Sequence, residues 1–162
     1  MKKTISSLVV AALITLPLHA QQMGRSDQLL RSTLWDSNGK PVAMEGLKGK
    51  RVVVSFYASW CAGCRQEVTD LNALKEQEKG KLDVVGISLD NDTRLARDFA
   101  SKTAMRYFNI VSGDIGKGLM KSLGNPGVAI PFTVVIERNG EVSLQKVGNL
   151  SKADLESLSS RS

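Results

Sequence analysis

At 162 residues, 42% hydrophobic and 23% charged, the chain has material for one domain with a real core and too little for two comfortable ones. Its net charge of +6 comes from scattered Lys and Arg residues with few aromatics between them, which argues against a nucleic-acid-binding face. Two cysteines and one histidine exclude a multi-disulfide scaffold and most metal centres.

Lys2 and Lys3, the apolar run over 5–16 and Pro17-Leu18-His19-Ala20 read as a secretory signal peptide over 1–20, cleaved after about Ala20. The apolar run is too short to span a bilayer comfortably, and no cysteine follows it to carry a lipid. Cleavage removes two lysines, lowering the charge from +6 to +4, and takes away His19, the only histidine. Residues 21–30 are polar and read as a flexible lead-in, leaving 31–162 as the folded domain.

Leu34-Trp35-Asp36-Ser37-Asn38-Gly39-Lys40-Pro41-Val42 reads as two short strands around an Asn-Gly turn whose central residues both tolerate positive φ. Gly46 and Gly49 punctuate the loop that follows. Val52–Tyr57 is a nearly unbroken β-branched and aromatic run, the pattern of a strand covered on both faces. A helix is predicted over about 62–79, with Val68, Leu71 and Leu74 on one stripe and Gly80 as its stop. Residues 82–89 form the next buried strand. Asn91-Asp92-Thr93 caps a helix that turns Leu95, Ala96, Phe99 and Ala100 inward. A short strand at 107–111 precedes a helical stripe of Ile115, Leu119, Met120 and Leu123. Residues 131–136, an Asn139-Gly140 turn and Val142–Val147 make a hairpin. Ser151 with Asp154 then forms a capping box for a last helix through Leu155 and Leu158. This order predicts an α/β domain, a mixed sheet with helices on both faces.

The two cysteines stand together as Cys61-Ala62-Gly63-Cys64, after Trp60. A bridge between them closes almost no chain and so adds little stability; what it can do is open and close. At the start of a helix, a Cys61 thiolate faces unsatisfied amide N–H groups and the positive end of the helix dipole, with Arg65 nearby. A drop in thiol pKa from about 8.5 to about 7 raises the thiolate fraction at neutral pH roughly sixteen-fold. Intrinsic nucleophilicity falls about five-fold over the same shift, so the larger consequence is stabilisation of the reduced dithiol. Cys61 is the expected exposed nucleophile and Cys64, one turn inside, the resolving thiol. Ala62 and Gly63 add no charge, so a strongly oxidising pair is not indicated. A bare Cys-x-x-Cys also suits half of a zinc site, a Cu(I) carrier or an inert pair. With no other cysteine and no mature histidine to complete a metal site, reversible redox chemistry leads.

Residues 34–40, Leu47-Lys48-Gly49-Lys50, the run 52–64 and the run 131–140 resemble the TlpA/ResA/DsbE group of exported thioredoxin-like proteins. The similarity covers most of the chain after about residue 31. It implies a thioredoxin-like mixed sheet flanked by helices, with an added N-terminal β-hairpin and an inserted strand–helix element around 83–104. It also implies a cis Ile130–Pro131 bond beside the disulfide, exposing the Ile130 backbone to pair with substrate, and Trp60 packed over the active-site turn. Glu67 matches an acidic position near the active site in several members; a proton shuttle for Cys64 and a solvated helix face are its two readings. The chain departs from the pattern at three places. Ser55 stands where thioredoxins often bury an acid, Ala62-Gly63 replaces the common Gly-Pro or Glu-Pro, and Thr69 replaces a usual proline.

The expectation is a periplasmic thiol–disulfide oxidoreductase that reduces disulfides of other exported proteins. Cys61, Cys64 and Glu67 would act, Trp60, Ile130 and Pro131 would bind substrate, and the Cys61–Cys64 disulfide would serve with no other cofactor and no metal. The resemblance implies recharging by a membrane electron donor of the thiol-transfer type, with apocytochrome c as one candidate substrate. A disulfide oxidant in protein folding and a thiol-based copper chaperone or binding module are the alternatives.

Overall fold

Two adjacent leucines shape the first part of the chain that is described, residues 26–160 of a computed structural model. The signal-peptide reading of 1–20 lies outside the described residues. Residues 26–30 form a turn of helix, closed by hydrogen bonds from Arg31 N to Asp27 O and from Ser32 N to Leu29 O, each 3.0 Å. Leu29 is 0% exposed and joins the main core, and Leu30 is buried beside it. The flexible lead-in expected for 21–30 is therefore corrected over 26–30. Burial of two leucine side chains, at about 1.5–3 kcal/mol each, outweighs the polar flanks.

Strand β1 (Thr33–Asp36) turns back into β2 (Pro41–Ala43). The turn is organised by Asp36, whose Oδ1 accepts from Asn38 N at 2.8 Å and Lys40 N at 2.9 Å. Gly39 alone in the turn takes a left-handed φ, +80°, so Asn38 does not share the positive φ expected of it. A short 3-10 turn (Met44–Leu47) leads to β3 (Val52–Tyr57), all six residues of which are buried. Then follow α1 (Gly63–Gln77), β4 (Asp83–Ser88), α2 (Thr93–Lys102), β5 (Phe108–Val111), α3 (Asp114–Ser122), β6 (Phe132–Ile136), β7 (Val142–Val147) and α4 (Lys152–Ser160). Asp92 caps α2 by accepting from Arg94 N at 2.8 Å. At α4, Ser151 N donates to Asp154 Oδ2 and Asp154 N to Ser151 Oγ, the reciprocal box that the spacing predicts.

The sheet runs β2-β1-β5-β4-β3-β6-β7. β3 lies at its heart, parallel to β4 and antiparallel to β6, and β5 lies parallel to β4. The N-terminal hairpin extends the sheet through antiparallel β1–β5 pairing. β4 and α2 occupy the stretch around 83–104 where an inserted strand–helix element is expected, and β5 follows them.

Alternation along β3 divides the core. Val52, Val54 and Phe56 share a layer with Leu119 and Met120 of α3, Leu123 just past its end, and Leu29. Val53 and Tyr57 face Val68, Leu71 and Leu74 of α1, Phe99 of α2 and Leu158 of α4. Both cysteines belong to this second layer. Leu95 and Ile115 are exposed, correcting their expected inward places. The buried stripes run through Ala96 and Phe99, and through Gly116, Leu119 and Met120, one step round each helix.

If Leu29 is part of the core, Leu29→Ala costs about 2–5 kcal/mol, read as a fall in urea midpoint at unchanged m-value. A loss within about 0.5 kcal/mol, as at a surface site, would show the leucine to be dispensable.

Candidate active site

The chain leaves β3 at Tyr57 and enters α1 at Gly63, and the segment between is tied to the end of β4. Buried Asp90 accepts from Ser59 N at 2.9 Å, Ser59 Oγ at 2.8 Å and Ser88 Oγ at 2.7 Å. Cys61 N then donates to Ala58 O at 3.0 Å. The clamp sets the start of α1 directly after β3, a strand buried throughout.

Cys61 and Cys64 are joined in a disulfide, with Cα atoms 5.4 Å apart. Cys61 is 7% exposed and Cys64 1%, so an incoming sulfur meets Cys61 first. Ala62, at the head of α1, offers no side-chain cap. Instead Cys64 N donates to Cys61 Sγ at 3.2 Å, putting the sulfur where a capping oxygen would sit. Arg65, expected to add positive charge, lies with its guanidinium 5.7 Å from the Phe99 ring centroid, and Phe99 stacks on Tyr57.

The Ile130–Pro131 bond is cis, as the resemblance implied. Pro131 flanks the cysteine turn: a Cβ built on Gly63 would lie 3.7 Å from Pro131 Cδ and 3.2 Å from Asn149 Oδ1. Pro131 is buried and its O accepts from Gly148 N at 2.8 Å. Ile130 is half-buried and packs against both core layers. Trp60 does not pack over the turn as expected. It is 75% exposed, because its neighbour Ser59 is drawn to Asp90 while the indole is left in solvent.

Glu67 is buried, which removes the solvated-face reading. Its place three residues after Cys64 puts both on one face of α1, with Cβ atoms about 5–6 Å apart. Thr133 Oγ1 donates to Oε1 at 2.7 Å and Leu150 N to Oε2 at 3.0 Å, with Asn149 Nδ2 3.5 Å from Oε2. Burial pushes the Glu67 carboxyl above the usual carboxylate range, against the opposing pull of these donors. Ser55 is paired with Thr133 across β3 and β6, and the buried acid that Thr133 binds comes from the helix and not from the strand.

Several residues at the site escaped the sequence reading. Asn149 Nδ2 donates to Gly63 O at 2.8 Å. Asn125 holds the loop before Ile130, donating to Ala129 O at 2.8 Å. Asp90 and Thr133 also went unmarked. The useful signals were a polar residue just past a strand of apolar pattern, as at Asp90, and a threonine two places after Pro131. Neither names its partner.

The Redoxin family model matches residues 24–159. Thiol-disulfide oxidoreductase ResA of Bacillus anthracis is 30% identical over 124 residues, 75% of this chain and 68% of the relative. A thiol:disulfide interchange protein of the thioredoxin family from Chlorobium tepidum superposes with TM-score 0.68 at 26% identity, covering 80% of this chain and 91% of that one. A secreted disulfide oxidoreductase of Mycobacterium tuberculosis shares the fold, with TM-score 0.69 at 22% identity over 84% of this chain and 99% of that one.

Glu67 binds a proton more readily in the folded than in the unfolded state. Stability therefore falls as pH rises from the ordinary carboxylate range through the raised folded value. In Glu67→Gln that fall is absent, so urea midpoints of variant and wild type diverge in the variant's favour as pH rises above the ordinary carboxylate range. Parallel curves would show that the carboxyl does not titrate in this way.

Proposed function

The chain belongs to the Redoxin family and is a thiol–disulfide oxidoreductase, and we propose that it reduces disulfides in other exported proteins. The observation that carries this reading is the asymmetry of the pair. Cys61 is reachable and its sulfur receives the Cys64 N–H, while Cys64 is sealed behind it.

In the proposed cycle the Cys61 thiolate attacks one sulfur of a substrate disulfide. A Cys61–substrate bond forms as the substrate S–S bond breaks, and one substrate thiolate leaves. Cys64, deprotonated by Glu67, attacks Cys61 Sγ, forming the Cys61–Cys64 bond and releasing the second substrate thiolate. Two electrons pass to the substrate, whose thiolates take up two protons, one of them by way of Glu67. Ile130 and Pro131 align the substrate strand beside the turn, and exposed Trp60 gives it an apolar contact. No cofactor enters beyond the disulfide. A dithiol donor must then reduce the Cys61–Cys64 bond, and a membrane electron donor of the thiol-transfer type fits that role.

Reduction rather than oxidation is favoured by what surrounds the sulfur. Its donor is a backbone N–H, Ala62 and Gly63 carry no charge, and Arg65 is engaged with Phe99. The signal-peptide pattern over 1–20 supports a periplasmic site of action, with cleavage after about Ala20 and apocytochrome c as one candidate substrate.

Insulin reduction with dithiothreitol tests exchange. Cys61→Ser should abolish catalysis, and Cys64→Ser should accumulate a mixed disulfide with substrate; a Cys61→Ser variant as fast as wild type would overturn the reading. Equilibration with glutathione should place the potential nearer about −270 mV, a thioredoxin-like value, than about −120 mV. A value at the oxidising end would make the protein a disulfide donor.

A further inference from the structure

The peptide group between Gly63 and Cys64 is engaged at both ends. Its N–H donates to Cys61 Sγ at 3.2 Å, and its C=O accepts from Asn149 Nδ2 at 2.8 Å. Asn149 comes from the loop between β7 and α4, 86 residues along the chain from Gly63. Its orientation follows from its partners: Gly63 O and Glu67 Oε2 are both acceptors, so the amide nitrogen must face them.

The loop holds Asn149 from both sides. Gly148, at φ +83°, donates its N–H to Pro131 O, and Leu150 N donates to Glu67 Oε2. Asn149 Oδ1 comes within 3.2 Å of where a Cβ on residue 63 would lie. Glycine at that position gives the amide its seat.

A carbonyl that accepts a hydrogen bond draws electron density through its amide and makes the N–H at the other end a stronger donor. Such chains strengthen each bond by roughly 10–30%. Here the strengthened N–H points at the sulfur that becomes charged when the disulfide is reduced.

We propose that Asn149 is a positioning residue for Cys61: through the Gly63–Cys64 peptide it stabilises the Cys61 thiolate and thereby raises the reduction potential of the pair. The inference rests on Cys61 being the attacking thiol. The other titratable groups around the turn are Glu67 on α1, Asp90 past the end of β4, Arg65 against Phe99 of α2, and the phenols of Tyr57 and Tyr107. Burial pushes both phenols far above their ordinary value, which keeps them neutral. Of these groups, Glu67 is the one hydrogen-bonded to Asn149, at 3.5 Å.

The test uses the full chain, wild type and Asn149→Ala, each also in a Glu67→Gln background. Cys61 is titrated by ultraviolet thiolate absorbance and by its alkylation rate, and the potential is read against glutathione. Asn149→Ala should lower the Cys61 acid constant about two- to four-fold. At a pH where Cys61 is ionised, that makes the potential about 9–18 mV more negative. Both effects should persist in the Glu67→Gln background. Asn149→Leu, similar in size but with neither donor nor charge, should shift both in the same direction, and it supplies the reading if the alanine variant does not fold. A folded Asn149→Ala with wild-type acidity and potential overturns the proposal, even if its melting temperature falls. So does an effect that vanishes with Glu67→Gln, because it would then run through the carboxylate. A wild-type Cys61 no more acidic than free cysteine sinks the nucleophile assignment itself, a result distinct from an acidic Cys61 indifferent to Asn149.

Discussion

A sulfur stands where the first turn of α1 needs a cap, and the chemistry of the site depends on that substitution. Ala62 brings no capping side chain, and the Cys64 N–H meets Cys61 Sγ instead. A disulfide sulfur is a weak acceptor and a thiolate a strong one, so this helix end is better satisfied in the reduced protein. The helix terminus thus favours the dithiol, and the pair's potential becomes a property of backbone geometry.

Geometry of that kind has to be held, and the fold holds the turn from three directions. Asp90 takes two hydrogen bonds from Ser59 on the entry side. Pro131 flanks Gly63 from the start of β6, and Asn149 bonds the Gly63 carbonyl from beyond β7. All three anchors are possible because β3 lies between β4 and β6 and is buried throughout. β4 ends, and β6 begins, beside the same turn.

The cost of the arrangement falls on Glu67. Burying a carboxyl is unfavourable unless its oxygens are hydrogen-bonded, and here Thr133 and the Leu150 amide supply the bonds. The donors come from β6 and from the loop before α4, so one side chain on α1 ties together the elements that frame the disulfide. Burial still outweighs the donors and holds the carboxyl above its usual range. The carboxyl is thus buried at some cost to folding and fixed in place on the same face of α1 as Cys64.

Local pattern was enough wherever local physics decided the outcome. The run Val52–Tyr57 announced a strand buried on both faces, Ser151 and Asp154 announced a helix start, and the cysteine spacing announced the helix entrance. Pattern misjudged Leu29, whose short helical turn has no periodicity of its own and is ordered by the core it enters. It also misplaced Leu95 and Ile115 by one step around their helices, and it put Trp60 against a turn that leaves it in solvent. These four errors concern where a side chain ends up, which depends on neighbours distant in sequence.

From residue order alone came the redox pair, the alternation of strands and helices around it and the helix that begins within the Cys61–Cys64 turn, since each is set by contacts within a few residues. Only the folded chain decided that Glu67 is buried and that Asn149, Thr133 and Asp90 surround the turn. Those hydrogen bonds join residues such as 63 and 149 or 67 and 150, 86 and 83 positions apart. No sequence period encodes such pairs, because the sheet order brings them together.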